Sequence, residues 1–148
     1  MGLLVLDKAT FIRVYQTKAR ENLREAKACL AGELPRAAIS RAYYALYQAA
    51  NAWIAHKGSA SSFDPDWPNS HHEDVEGRWR RILQEIHEDH GVESDFDGDR
   101  IYGNLKSLRV RVDYKPKSDP TMEDAKTAVS DAERTVGWLL AALKKAGK

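Results

Sequence analysis

The sequence predicts an all-α protein, an up-and-down bundle of about five helices. Apolar residues recur every three or four positions along most of the chain, which is the spacing of one helix face. Alanine is abundant, whereas glycine and proline are sparse, with 9 and 5 residues among 148. This balance favours helices over sheets. A chain of this length suits one domain, which we expect to span residues 1–148.

The first predicted helix runs from about Lys8 to Ala31. Asp7 or Thr10 can cap its first turn, and Gly32 suits the left-handed position that often follows a helix. Its predicted core face consists of Phe11, Val14, Tyr15, Ala19, Leu23, Ala26 and Leu30.

The second predicted helix begins at Pro35, which suits a first helical turn, and reaches Lys57 before Gly58. Many of its inward residues are alanines, which let neighbouring backbones approach closely, so we expect this helix at the centre of the bundle. Its predicted core face consists of Ala38, Ile39, Ala42, Tyr43, Leu46, Tyr47, Ala50 and Ile54.

A loop rich in proline and serine is predicted at residues 58–70, and a third helix at about 71–90. Four of the five histidines lie in this helix or at its start: His71, His72, His87 and His90. His87 and His90 are close enough on a helix to share a metal ion. No cysteine or HExxH pattern accompanies them, so we predict no metal site and keep a metal-binding bundle only as a third alternative.

The segment SLRVRVDYKP, residues 107–116, alternates apolar and polar residues as a strand would. A lone strand in a helical chain would lack hydrogen-bonding partners for its backbone, so a helix is the better interpretation. The fourth predicted helix therefore starts near Asp97 or Asp99 and ends at Lys115, just before the proline. We expect it to form the central pair with the second helix.

Thr121 and Asp124 resemble a capping box, although aspartate stands where glutamate is usual. A fifth helix is predicted to follow this signal. Its apolar face consists of Ala125, Val129, Ala132, Val136, Leu139, Leu140 and Leu143.

The net charge of +1 conceals an uneven distribution of charge along the chain. Residues 1–58 carry 9 basic and 4 acidic residues, residues 59–100 carry 4 and 12, and residues 101–148 carry 10 and 6. The outer thirds are therefore the parts suited to an anionic partner. The single Cys29 cannot form an internal disulfide, and no apolar run approaches the roughly 20 residues that span a bilayer. We expect a cytoplasmic protein without a membrane segment.

Two segments together resemble the HEPN-domain family of small prokaryotic proteins. SRAYYALYQAANAWIAHKG, residues 40–58, resembles the family's second helix, in which YYA precedes a run of small residues. LRVRVDY, residues 108–114, resembles the family's R-x-x-x-D-Y helix end. The resemblance implies a helical bundle that forms a homodimer. Many members of the family are toxins paired with a minimal nucleotidyltransferase antitoxin, and several members cleave RNA. The resemblance implies the same kind of partner and activity for this chain.

The resemblance also implies site residues. Ribonuclease members use an R-x4–6-H motif, whose arginine matches Arg109 and whose histidine falls on Tyr114 in this chain. Tyrosine, with an ordinary pKa of about 10, is a poor base near neutral pH, which puts catalysis in doubt. The implied roles are phosphate contact for Arg109, Arg111 and Lys115, orientation of the first arginine by Asp113, and substrate hydrogen bonding by Tyr114.

We also expect Arg41, in the second helix, to complete this cluster across a dimer interface. The predicted function is that of a HEPN-type protein in a toxin–antitoxin or defence system, either a metal-independent RNase or an RNA or nucleotide binder. The alternative is a non-enzymatic helical adaptor that binds a nucleotidyltransferase or another protein. No phosphate-binding glycine loop or dinucleotide pattern occurs, so no cofactor is predicted.

Overall fold

The computed structural model describes residues 8–57, 79, 82–88, 98–114 and 119–146, without the side chains of residues 98, 99, 113 and 114. These residues are helical apart from short turns, and no strand occurs among them. The all-α bundle predicted from the sequence is confirmed.

Four long helices have defined bounds. They are α1 (Lys8–Ala31), α2 (Pro35–Lys57), α3 (Gly98–Tyr114) and α4 (Met122–Ala146). The bounds of α1 and α2 are those predicted from the sequence. Of the predicted third helix, residues 79 and 82–88 are helical, and its remaining positions lie outside the described residues.

The turn between α1 and α2 is a Schellman motif. The Glu33 amide donates to the Leu30 carbonyl at 3.1 Å, and the Leu34 amide donates to the Cys29 carbonyl at 2.9 Å. The left-handed residue of this motif is Glu33, with a φ of 58°, so the prediction that Gly32 takes this conformation is wrong. Gly32 instead continues the helical hydrogen bonding, because its amide donates to the Ala28 carbonyl.

α2 lies at the centre of the bundle, where it packs against the other three long helices. From Ala45 to Ala55 nearly every side chain is buried, including Trp53, whose Nε1 donates to Oε1 of Glu85 at 3.1 Å. Small alanine side chains allow this all-round burial because they let several helices approach one axis.

The second member of the central pair is α4. Like α2, α4 packs against each of the other three long helices, whereas α3 hardly contacts α1, so the prediction that α2 and the 98–114 helix form the central pair is wrong. α1 and α3 each pack against both α2 and α4 but hardly against each other. They therefore lie on opposite sides of the α2–α4 pair.

Side-chain hydrogen bonds satisfy backbone groups at the end of α3 and at the start of α4. At α4, the Asp124 amide donates to Thr121 Oγ1 while the Thr121 amide donates to Asp124 Oδ2, both at 3.0 Å, which confirms the predicted capping box. At α3, Arg36 Nη1 donates to the Val112 carbonyl at 2.7 Å and Nη2 pairs with Asp119 at 3.3 Å. Arg36 thus caps a carbonyl that the end of the helix leaves without an internal partner.

None of the helices in the described ranges combines the length and the apolar character needed to cross a lipid bilayer.

Candidate functional site

The predicted site residues are divided between α2 and the C-terminal half of α3. Arg109 and Arg111 are both on α3, and Arg41 is near the start of α2. The backbones of Asp113 and Tyr114 complete the last turn of α3, but their side chains lie outside the described part of the structure, as does all of Lys115.

Arg109 is buried against the aromatic residues of α2. It is 9% exposed, and its guanidinium carbon lies 4.8 Å from the ring centroid of Tyr43 and 5.6 Å from that of Tyr44. Both distances are in the range of cation–π contacts. The two segments that resemble the HEPN family, YYA and R-x-x-x-D-Y, therefore meet at this arginine.

The tyrosines that hold Arg109 belong to a larger aromatic cluster. The hydroxyl oxygens of Tyr43 and Tyr102 lie 3.4 Å apart, and the ring of Tyr102 stacks on Trp79 with centroids 4.7 Å apart. Tyr43 also stacks nearly parallel to Tyr47. Because every member except Tyr44 is buried, this cluster fixes α3 on α2 as part of the core.

Arg111 lies on the outward face of α3 instead. Residues two positions apart on a helix point about 160° away from one another, so Arg109 and Arg111 occupy opposite faces. Arg111 is exposed and lines two concavities, a groove of about 350 Å³ between α3 and α4 and a shallower one of about 550 Å³ on the other side of α3. The structure therefore separates these two arginines rather than forming one cluster from them.

The ridge between the two concavities carries small side chains. Ser107 lines both concavities, and Gly103 lies one turn before it on the exposed face of α3. A Cβ atom added at Gly103 would have no neighbour within 4 Å among the described residues. This ridge lets another backbone approach closely. In the sequence, the i, i+4 spacing of Gly103 and Ser107 is the signal for this ridge.

The groove between α3 and α4 carries charges of both signs. Arg100 and Arg111 lie on its α3 side, and Glu123 and Asp131 lie on its α4 side. Burial raises the pKa of Asp131, and the nearby guanidinium groups of Arg100 and Arg134 partly oppose this shift. Because acidic and basic groups face each other here, this groove is less suited to an anion than the concavity on the other side of α3.

Arg41 lies close to Tyr44 in the same chain. The two residues are three positions apart on α2, so their side chains are neighbours on the helix surface. Arg41 is exposed, and its Nη1 donates to Oδ1 of Asn22 on α1 at 3.2 Å. Tyr44 is therefore contacted by Arg109 from α3 and has Arg41 one turn away, without a second protein chain.

The alternative metal site finds no support in the part of the chain that the structure describes. His87 is exposed on the 82–88 helical segment, while His71, His72 and His90 lie outside the described residues. No group of three metal-ligating side chains occurs among the residues that are described.

Comparison with protein families gives one finding. A family model described as HEPN domain matches residues 12–143, nearly the whole chain. No protein of curated function matches this sequence significantly.

Proposed function

Because the chain belongs to the HEPN domain family, we propose that it is an RNA- or nucleotide-binding protein of a toxin–antitoxin or defence system. The outward face of α3 is the proposed contact surface. The observation that carries this proposal is the position of Arg111, exposed between two concavities. Arg100 lies three turns earlier on the same side of the helix, about 16 Å from Arg111 along the axis. Lys106 lines the shallower concavity together with Arg111.

Phosphate contact explains this pattern of residues. Arginine can donate two hydrogen bonds to one phosphate, and lysine provides a compact positive charge. The small side chains of Gly103 and Ser107 leave room for a nucleic-acid backbone to lie against the helix between the charged groups.

Binding is better supported than cleavage. The motif arginine, Arg109, is buried against two tyrosine rings, which suits a role in holding α3 in place. The motif histidine is replaced by Tyr114, so the usual proton acceptor near neutral pH is missing. We therefore propose RNA binding, and the experiment below tests RNA cleavage separately.

The test measures the affinity of the wild-type chain for a labelled single-stranded RNA by fluorescence anisotropy. We expect Arg111→Glu to weaken binding about tenfold, which corresponds to about 1.4 kcal/mol. Lys144→Glu is the matched control, because it makes the same change in charge at an exposed position near the end of α4. Equal affinities for both variants and the wild type would overturn the proposed role of α3.

The same samples, incubated without metal ions, test cleavage. We expect no RNA products from the wild-type chain. Products that disappear in Arg109→Lys, in a variant shown by circular dichroism to be folded, would instead assign a metal-independent ribonuclease activity to this site.

The Gly103–Ser107 ridge favours a second candidate function, that of a protein-binding module. A glycine inside a helix costs about 1 kcal/mol relative to alanine, and no described neighbour explains why a Cβ is missing at Gly103. A second copy of the chain is the proposed partner, and a nucleotidyltransferase is the alternative. Gly103→Leu should then lower the molar mass measured by light scattering from dimer to monomer. An unchanged mass with intact RNA binding would count against a dimer through this ridge.

A further inference from the structure

The outer face of α1 carries a line of arginines that the proposed function does not use. Arg13, Arg20 and Arg24 are separated by seven and four residues, so they point within about 40° of one another around the helix. Thr17 lies in the same line, and all four residues are exposed. We call these four residues the α1 arginine stripe.

The stripe faces away from the bundle. The buried residues of α1 lie on the opposite side of the helix: Phe11, Tyr15, Ala19 and Ala26. No helix in the described ranges covers the stripe, and α3 is on the far side of the α2–α4 pair. It is therefore a separate surface from the outward face of α3.

Several basic side chains of α1 have partners among the described residues, including Arg13 of the stripe, whose Nη2 donates to Thr10 Oγ1 at 3.1 Å. Lys27 forms an ion pair with Glu133 of α4, and Lys18 lies 5.3 Å from the ring centroid of Tyr15. Arg20 and Arg24 have no hydrogen bond or ion pair among the described residues.

This arrangement is unfavourable for the helix alone. Like charges four residues apart, such as Arg20 and Arg24, destabilise a helix by a few tenths of a kcal/mol. Glu21 lies one turn before Arg24 and can offset part of this repulsion, but the two side chains form no ion pair among the described residues. A bound polyanion would remove this repulsion, which gives a physical reason for the stripe.

The chemistry of the stripe favours phosphate groups over an acidic protein. Hot spots of protein interfaces are enriched in tryptophan and tyrosine as well as arginine, and the stripe has no aromatic side chain beside its arginines. Guanidinium and hydroxyl groups are among the side-chain groups that contact nucleic-acid backbones. From Arg13 to Arg24 the stripe is about 16 Å long, enough for more than one phosphate.

We propose that the α1 arginine stripe is a second contact surface for the phosphate backbone of RNA, independent of α3. This inference rests on the proposed RNA-binding function. It goes beyond that function by assigning the phosphate contact to a flank of the bundle that neither resemblance segment includes.

The experiment measures how the affinity of the full chain for a labelled oligouridine changes with salt, between about 50 and 300 mM KCl. The test variant is Arg20→Gln combined with Arg24→Gln. The control is Lys144→Gln combined with Lys145→Gln, which removes the same charge from exposed positions at the end of α4. All test and control positions are exposed, and circular dichroism verifies that each variant is folded.

Each phosphate contact with a single strand contributes about 0.7 to the slope of log K against log salt. We expect the stripe variant to lower the magnitude of this slope by about 1.4 and the control to leave it unchanged. If the stripe variant and the wild type have equal slopes while Arg111→Glu still weakens binding, the proposed RNA contact of the stripe is overturned. The proposed contact surface on α3 is unaffected by that result. A lower slope in the stripe variant with no effect of Arg111→Glu would support the stripe and overturn α3. If polyglutamate binds as strongly as oligouridine and loses as much affinity in the stripe variant, the partner of the stripe is an acidic protein. That result would overturn the RNA assignment.

Discussion

Replacing Arg109 by alanine should destabilise the fold, although arginine is usually a surface residue. The substitution removes two cation–π contacts, with Tyr43 at 4.8 Å and Tyr44 at 5.6 Å. At a site that is only 9% exposed, each such contact contributes about 1 kcal/mol. Loss of the packed aliphatic stem adds about 1 kcal/mol more. We therefore expect the free energy of unfolding to fall by about 3 kcal/mol.

Urea unfolding followed by far-ultraviolet circular dichroism measures this change. Arg111→Ala is the control, two residues away but exposed, and should change stability by less than about 0.5 kcal/mol. Arg109→Lys keeps the charge but loses the planar guanidinium, so its effect should fall between the two.

A double-mutant cycle separates the ring contact from general packing. Combining Arg109→Ala with Tyr44→Leu should show a coupling energy of about 1 kcal/mol, because the two side chains contact each other. Additive effects in this cycle, or equal stabilities for Arg109→Ala and Arg111→Ala, would refute the assignment of Arg109 to the core.

Four further predictions concern local features, each checked by unfolding experiments. Thr121→Ala should lower the free energy of unfolding by about 1 kcal/mol, because it removes the capping box. Thr127→Ala within α4 should not lower it, and equal losses in the two variants would contradict this prediction. Glu33→Gly should stabilise by about 1 kcal/mol because its φ is 58°, and a lower unfolding midpoint would count against the strained conformation. Asn51→Leu should stabilise by about 1 kcal/mol, because Asn51 is 1% exposed and its amide has no hydrogen-bond partner among the described residues; a clear loss of stability would indicate a partner for that amide. Burial raises the pKa of Asp131 above its usual 3.8, so the folded state binds this proton more tightly than the unfolded state does. The free energy of unfolding of the wild type should therefore fall as the pH rises from about 3.8 through the raised pKa. Asp131→Asn should lack this fall, and identical pH profiles would disprove the shift.

The features that the sequence predicted well depend on nearby residues. The end of α1 and the start of α2 coincide with a Gly32–Pro35 break in the helical pattern, and the start of α4 coincides with a Thr121–Asp124 capping pair. Each of these signals acts within a few residues, so the sequence displays it directly.

Other features depend on tertiary packing. Arg109 and Arg111 look equivalent as basic residues in a polar segment, but packing buries one of them and exposes the other. The helical spacing from Leu105 to Val112 places Arg109 on the core face, a signal that the polar composition of the segment concealed. The identity of the central pair could not be predicted, because both α3 and α4 present apolar faces and only three-dimensional packing decides which of them contacts all the other long helices.

The position of Arg109 also has a kinetic consequence. α1 and α2 pack more extensively than any other pair among the described helices and are joined by a short turn, so this hairpin is suited to form early in folding. Arg109 and Tyr43 are far apart in sequence, and their contact is suited to form after the rate-limiting step. Removal of Arg109 should then leave the folding rate nearly unchanged and accelerate unfolding about a hundredfold for the 3 kcal/mol estimated above. The guanidinium group of Arg109 would then slow the unfolding of the native state.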